Sequence, residues 1–166
     1  MTGAIEKLTL QNDSFSVTTI GNTTPIGLCG SGVIDTIACL LENGTIDETG
    51  AMEPEELLLC KGVFINRQDI RNIQLAKAAI SAGIRTLLEV TKTSEEEISA
   101  FYLAGGFGKH LNMDSAVRIG LFPASLRNKV RILGNAALKG AASMLTDESL
   151  KGTTQTIAGK AEYLSL

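Results

Sequence analysis

Apolar and polar residues alternate along the first 21 positions of the chain and then recur at helical spacing. Residues 3–10, GAIEKLTL, and 14–21, SFSVTTIG, show the period of two expected of strands. The polar stretch QNDS between them predicts the turn of a β-hairpin. Residues 30–44 predict a helix with Ser31 as its N-cap and Gly44 at its end. Its apolar positions are Val33, Ile34, Ile37, Leu40 and Leu41.

The middle of the chain combines an acidic loop with a long amphipathic helix. Residues 45–56 are rich in acidic and turn-forming residues, and residues 57–65, LLLCKGVFI, predict a short strand. The pattern then predicts a helix from about Arg67 to Thr91. Its apolar side comprises Ile70, Ile73, Ala76, Ile80, Ile84, Leu87 and Leu88.

The second half of the chain alternates between strands and helices. Ser94 and Glu97 have the spacing of a capping box, which predicts a brief helix, and residues 98–104, ISAFYLA, predict a strand that ends at two glycines. Together with the opening hairpin, this alternation predicts an α/β fold in which helices pack on the faces of a mixed sheet. The remaining predicted elements are a helix at 114–120, a strand at 130–133, a helix at 135–145 and a strand at 161–166.

Charge and composition argue against several classes of function. A net charge of −3 and an aromatic content of 4% without Trp give little support to nucleic-acid binding. No apolar run reaches the roughly 18 residues of a membrane helix, and the N-terminus lacks a signal pattern, so we expect a cytoplasmic protein with no membrane partner. The three cysteines lack Cys-x-x-Cys spacing, which favours buried thiols, and the single His110 has no metal-ligating neighbours.

Three glycines in AGGFG, residues 104–108, follow the predicted strand. The spacing fails the dinucleotide fingerprint, because no third glycine or later acidic residue stands where that motif needs one. It also fails the phosphate-loop pattern, because His110 follows Lys109 in place of Ser or Thr. Two interpretations stay open. Either bare backbone lies against a nucleotide there, or the glycines form a packing turn.

Three other segments carry a similar pair of interpretations. Gly30, Ser31 and Gly32 form either an anion site at a helix start or a close contact between that helix and a strand. The helix at 135–145 has small residues one turn apart, which suit a fixed core contact or a hinge. The long helix carries a polar stripe, which is either solvated or one wall of a nucleotide pocket. The stripe consists of Gln74, Lys77, Ser81 and Arg85.

Four segments in this order resemble a known family. They are GLCGSGVID, QDIRNIQLAKAAISAGIRTLLE, FYLAGGFGKHLNMDSAVRIGLFP and ILGNAALKGAASML. They resemble the C-terminal ATPase domain of the reductive activators of corrinoid proteins, in the superfamily of acetate and sugar kinases, heat-shock chaperones and actin. The resemblance implies a ribonuclease H-like fold with ATP and Mg²⁺ in a cleft between two lobes.

The resemblance also implies site residues. Residues 104–108 resemble the superfamily's adenosine motif, residues 134–142 resemble its second connecting motif, and Gln74 and Lys77 would lie near adenine or ribose. No residue is an obvious catalytic base or metal ligand. The expected nucleotide-binding residues are Gly105, Gly106, Phe107, Gly108, Gln74, Lys77, Gly30 and Ser31.

The family's function is implied in the same way. Its members couple ATP hydrolysis to electron transfer from an iron–sulfur domain to an inactive Co(II) corrinoid on a partner protein of a methyltransferase system, giving Co(I). This chain lacks a cysteine cluster and the Asp-x-Gly turn of the first lobe. We therefore interpret residues 1–166 as a single C-terminal lobe with little or no ATPase activity alone. It comprises an opening hairpin at 4–21, a helical subregion at about 30–93, and a nucleotide-turn and hinge-helix region at about 98–166.

The expected partners are a corrinoid protein and the missing N-terminal lobe, with a homodimer kept open. The iron–sulfur cluster is expected outside this chain. Two alternatives remain: a corrinoid-protein docking module without independent nucleotide binding, and a lobe of a related activator of 2-hydroxyacyl-CoA dehydratase or of a kinase.

Overall fold

A computed structural model of the protein describes residues 1–12 and 14–164. It opens with the predicted hairpin, in which strands β1 (Ala4–Gln11) and β2 (Ser14–Thr19) run antiparallel and Leu8 faces Val17. A short strand β3 (Gly27–Leu28) pairs with β1 in parallel, so this three-stranded sheet is mixed. The hairpin is thus confirmed.

Helix α1 (Gly30–Glu42) lies against β1 and buries one apolar face there. The predicted N-cap at Ser31 is wrong, because the cap lies two residues earlier, at Cys29, which makes no side-chain capping hydrogen bond. Ser31 is buried in the first turn, with its Oγ 3.2 Å from the Sγ of Cys29. Gly44 follows the helix with a φ of 74°, as a helix stop commonly does.

The single strand predicted at 57–65 is wrong, because this segment forms a second hairpin. Strands β4 (Glu56–Cys60) and β5 (Val63–Asn66) pair antiparallel, and Gly62 between them has a φ of 83°. A left-handed φ suits glycine, since it has no β-carbon to collide with the backbone. The apolar pattern continues across this turn and hides it from the sequence.

Helix α2 (Arg67–Thr91) has the bounds that the sequence predicts. Asn66 and Asp69 form a reciprocal capping box at its start, which satisfies two backbone N–H groups. Its predicted apolar side is buried only at the first turn, by Ile70, whereas Ile80 and Leu87 are half exposed. The periodicity of apolar residues therefore predicts the bounds of this helix, but it does not predict how much of its apolar side is buried.

The predicted brief helix at Ser94–Glu97 is wrong. The Glu97 carboxylate accepts the Ser94 N–H at 2.7 Å, but residues 95–97 form only a turn. One such capping bond cannot nucleate a helix without further turns to propagate it.

The second half then alternates as predicted as far as residue 146, although the strand predicted at 98–104 begins only at Phe101. Strands β6 (Phe101–Ala104) and β7 (Val130–Gly134) pair in parallel, and Phe101 packs against Phe122 with ring centroids 5.3 Å apart. Between these strands lie α3 (Gly105–His110), α4 (Met113–Arg118) and a 3₁₀ helix (Ala124–Lys129).

Two further helices follow β7. The predicted helix α5 (Ala136–Thr146) is present, and α6 (Leu150–Lys160) was not predicted. The predicted strand at 161–166 is wrong for residues 161–164, which form no regular element after α6. Ser165 and Leu166 lie outside the described residues.

The hydrophobic core lies between residues 4 and 126, and within the described chain no residue after Leu126 is buried. No helix in the described ranges is both long and apolar enough to cross a membrane. The largest fully buried side chains are Ile5, Leu8, Leu40, Ile46, Ile65, Ile70, Leu126 and Thr36.

Candidate functional site

The glycines after β6 form the first turn of a helix and not a separate loop. The backbone leaves the strand at Ala104, whose ψ of 162° is extended, and α3 begins at once with Gly105. Gly105 has a φ of 88°, a left-handed value that a side chain would strain. Glycine is therefore required at position 105 by the backbone alone.

The other two glycines of α3 differ in their surroundings. A β-carbon at Gly108 would lie 3.0 Å from the Cβ of Leu103, so this glycine allows α3 to pack on β6. At Gly106 no atom of the described residues, apart from the local helix backbone, lies within 4 Å of that position, and φ is not left-handed. Neither packing nor backbone conformation requires glycine at 106, and the space above it is open.

The structure brings the two glycine-rich segments together. A β-carbon at Gly30 would lie 2.9 Å from Cδ2 of Phe107, so the start of α1 contacts α3 directly. Gly32 has a different role, because its β-carbon would lie only 1.9 Å from the carbonyl oxygen of Ile5. The close-contact interpretation therefore holds at Gly32. No side chain caps α1, so the N–H groups of its first turn have no side-chain acceptor.

Gln74 and Lys77 bind other parts of this chain and not the glycines of α3. The Gln74 amide donates to the carbonyl oxygen of Thr49 at 2.6 Å, and the Lys77 ammonium donates to that of Ile119 at 2.5 Å. Both line a cavity of about 30 Å³ between α1 and α2. A space of this size holds roughly one water molecule, so an adenine ring does not fit inside it.

A buried carboxylate on α1 binds the segment that follows α3, and sequence analysis missed it. Asp35 of α1 accepts hydrogen bonds from the Leu8 N–H at 3.2 Å, the Asn112 side-chain amide at 3.0 Å and the Ser115 hydroxyl at 2.6 Å. The signal in the sequence is an acidic residue on the apolar face of a helix, since carboxylates are seldom buried without partners. Its partners are distant in sequence and could not be identified from it.

The thiols and the histidine do not assemble a metal site. Burial raises the pKa of the Cys39 thiol and of the Cys60 thiol. His110 lies exposed at the end of α3. Within the described ranges, no three side chains of His, Cys, Asp or Glu come together as metal ligands.

Helix α5, which carries the predicted hinge motif, lies on the surface. Asn135 caps it by accepting the Leu138 N–H at 3.0 Å, and the helix has no buried residue. A β-carbon at Gly140 would meet nothing within 4 Å among the described residues. The close approach that its small residues allow is not used here, and the hinge role stays a prediction.

Comparisons with known proteins give consistent matches. Residues 1–166 match the family described as the C-terminal domain of RACo, the ASKHA domain. The chain is 30% identical to the corrinoid activation enzyme RamQ of Eubacterium limosum, over 99% of this chain and 32% of that protein. It is 27% identical to a Co(II) methylated amine-specific corrinoid protein reductase of Methanosarcina barkeri, over 81% of this chain and 25% of the relative.

A solved structure matches as well. A reductive activator for corrinoid, iron–sulfur protein superposes with a TM-score of 0.89 at 36% identity, over 99% of this chain and 30% of that chain. The chain thus spans about a third or less of the length of the proteins it matches.

Proposed function

Because this chain belongs to the family of RACo C-terminal domains, we propose that it is the nucleotide-binding lobe of an ATP-dependent reductive activator that returns the Co(II) corrinoid of a methyltransferase system to Co(I). The family match and the TM-score of 0.89 confirm the actin-like ATPase fold predicted from the sequence. The relatives bear the names of corrinoid activators, which supports the same general role for this chain.

The observation that carries the nucleotide part of the proposal is the open space above Gly106, within the segment that resembles the adenosine motif. A glycine in a helix costs about 0.5–1 kcal/mol relative to alanine. At Gly106 neither left-handed φ nor a neighbouring atom offsets that cost. A ligand that lies directly on the backbone would do so, because a β-carbon would fill the space that the ligand needs.

Each candidate residue then has a proposed role. Gly105 and Gly106 expose backbone to the adenosine. Phe107 packs on Gly30 and so holds α3 beside the start of α1. Uncapped N–H groups at Gly30 and Ser31 favour the negative charge of phosphates. Gly108 acts through packing. ATP supplies the free energy for the uphill electron transfer, and this chain binds and orients it.

For Gln74 and Lys77 we propose an indirect role. They hold the 47–50 loop and the end of α4 in place, because their polar ends already bind the carbonyl oxygens of Thr49 and Ile119. Adenine would lie outside the small cavity, against the exposed part of α2. We assign no Mg²⁺ ligand within the described residues, so the ion would be held by the phosphates and by groups elsewhere in the protein.

We propose residues 1–166 as one lobe, and its partners as a corrinoid protein and an N-terminal lobe, with a homodimer as a further arrangement. A second function, docking of the corrinoid protein without nucleotide, is favoured by exposed apolar side chains on α5 and α6. Leu138 is 65% exposed, Leu145 87% and Ile157 63%. Capture of a corrinoid protein by the nucleotide-free chain, lost in Leu145→Asp, would favour docking.

The experiment that tests nucleotide binding compares two valine substitutions at exposed helical glycines. Gly106→Val fills the proposed ligand space, whereas Gly152→Val fills equally open space on α6. ATP is titrated into the 166-residue chain with Mg²⁺ and followed by calorimetry, and thermal unfolding is recorded for each variant. We expect the wild-type chain and Gly152→Val to bind ATP, and Gly106→Val to remain folded with at least about tenfold weaker binding, which is about 1.4 kcal/mol.

Two outcomes contradict the proposal. Equal ATP affinity in Gly106→Val and the wild-type chain would leave the open glycine without a ligand. Absence of any ATP binding to the wild-type chain at millimolar nucleotide would remove the site from this lobe.

A further inference from the structure

The carboxylate of Asp35 joins α1 to two segments that are far from it in sequence, β1 and residues 112–115. The residue is only 6% exposed, and its three donors belong to β1, to the connection between α3 and α4, and to α4 itself. Within the described ranges, no Lys, Arg or His lies within ion-pair distance of it. Neutral donors alone hold this buried acidic group, so removal of one donor leaves part of it unsatisfied.

Asn112 is the partner that links this carboxylate to the glycine helix. Its side-chain oxygen accepts the N–H groups of Asp114 at 3.0 Å and Ser115 at 3.4 Å, which caps α4. Its side-chain nitrogen donates to Asp35. Because Asn112 stands two residues after α3 ends at His110, this bond ties the end of α3 to α1.

The other end of the α1–α3 contact is fixed by packing. Phe107 lies over Gly30 at the start of α1, five residues before Asp35. Two ties therefore join α3 to α1, in addition to the packing of α3 on β6 at Gly108. We expect the spacing between Gly30–Ser31 and Gly105–Gly106 to depend on both ties.

We propose that Asp35, acting through Asn112, is a positioning residue that holds the glycine helix α3 against the start of α1 and so sets the geometry of the nucleotide site. The nucleotide part of this inference rests on the proposed function. Asp35 makes no hydrogen bond to any of the proposed nucleotide-binding residues. Its effect passes through the position of α3.

An exchange of the two side chains tests the bond. In Asp35→Asn the amide nitrogen replaces one carboxylate oxygen and faces either the Leu8 N–H or the Asn112 amide, so one donor meets another. Asn112→Asp alone brings two carboxylates together. Asp is as good an N-cap as Asn, so Asn112→Asp retains the cap of α4. The double substitution reverses donor and acceptor and restores the bond, while the Leu8 N–H keeps an oxygen to bind.

The first measurement needs no nucleotide. Backbone amide spectra of the 166-residue chain are recorded for the wild type, both single variants and the double variant. We expect each single substitution to shift the amide resonances of Gly105 to Gly108, and the double substitution to bring them back toward wild-type positions. The matched control is Asp147→Asn. Asp147 also accepts a hydrogen bond from a serine hydroxyl, that of Ser149, at 2.6 Å. It lies between α5 and α6 and takes no part in the Asp35 hydrogen bonds.

The second measurement is ATP affinity well below the unfolding temperature. We expect each single variant to bind about tenfold more weakly, which corresponds to about 1.4 kcal/mol, and the double variant to recover to within about twofold. A merely structural role would lower the unfolding temperature but leave the affinity and the amide shifts of α3 unchanged. The control should change neither.

The outcomes separate this inference from the proposed function. If the wild-type chain binds no ATP, the proposed function fails, while the amide shifts still decide whether Asp35 positions α3. Unchanged α3 amides in both single variants, or no recovery in the double variant, would overturn the positioning role. If neither single variant folds, a folded double variant with wild-type α3 amides supports it, and an unfolded double variant overturns it.

Discussion

The two glycine-rich segments of the chain meet in the structure, yet their glycines serve different purposes. At the start of α1, Gly32 stands where a β-carbon would be 1.9 Å from the Ile5 carbonyl oxygen. In α3, Gly106 stands in open space with an ordinary φ. The first glycine is explained by the fold and the second is not. The comparison teaches that the neighbours of a glycine can explain it, as at Gly32, whereas at Gly106 the open space and the resemblance of the segment to an adenosine motif together suggest a ligand.

The largest expected effect is that of Gly32→Ala. Its new methyl group would collide with backbone, which cannot move aside cheaply, so we expect a loss of about 3 kcal/mol or failure to fold, at the upper end of overpacking effects. Chemical denaturation of the purified variant measures this loss. A stability within about 0.5 kcal/mol of the wild type, the range of ordinary surface substitutions, would show that packing does not require glycine at position 32. Gly32 and Gly106 would then not differ in this respect.

Gly106→Ala should have the opposite effect on stability. The new methyl group meets no atom within 4 Å, and alanine is the better helix former, so we expect a gain of about 0.5–1 kcal/mol. ATP binding should weaken in the same variant, because the methyl group enters the proposed ligand space. Denaturation and calorimetry on one preparation measure both quantities. A stabilised variant with unchanged affinity would indicate a glycine without a function.

Sequence patterns anticipated the elements better than their contacts. The α1 helix, the β1–β2 hairpin and the bounds of α2 follow from the periodicity of apolar residues, which is local. The β4–β5 turn was missed because Lys61 and Gly62 interrupt a run of apolar residues without polar neighbours.

The site was only partly predictable for a similar reason. The motifs drew attention to both glycine-rich segments, but Gly32 and Gly106 look alike in sequence, and only their neighbours in space separate them. Asp35 meets Asn112 and Ser115 at separations of 77 and 80 residues, which no local pattern encodes.

The smallest expected effect lies in the 47–51 loop, where Gly50, like Gly32, is packed against a neighbouring residue. A β-carbon at Gly50 would lie 2.2 Å from the side-chain nitrogen of Gln74. The Thr49 hydroxyl, followed by the Ala51 N–H, lowers the pKa of the Asp47 carboxyl below its ordinary value of 3.8. A lowered pKa in the folded state stabilises the protein above the ordinary value, and this contribution is lost as the pH falls through the folded value.

We therefore expect Asp47→Asn to be slightly less stable than the wild type at pH 7, with the difference shrinking as the pH falls below 3.8. Urea denaturation of both proteins between neutral and acidic pH measures it. The acid-stability curves of the two proteins should converge. Curves that remain parallel would show that this carboxylate does not hold the loop through its ionised form.

The central claim, that the open face of α3 is where a nucleotide lies, is tested most directly by titrating the 166-residue chain with ATP and ADP, with and without Mg²⁺, while recording backbone amide shifts. The account predicts saturable shifts centred on Gly105 to Lys109, with a second set at Gly30 to Gly32 when phosphates are engaged. Saturable shifts centred elsewhere, or none at millimolar nucleotide, would contradict it.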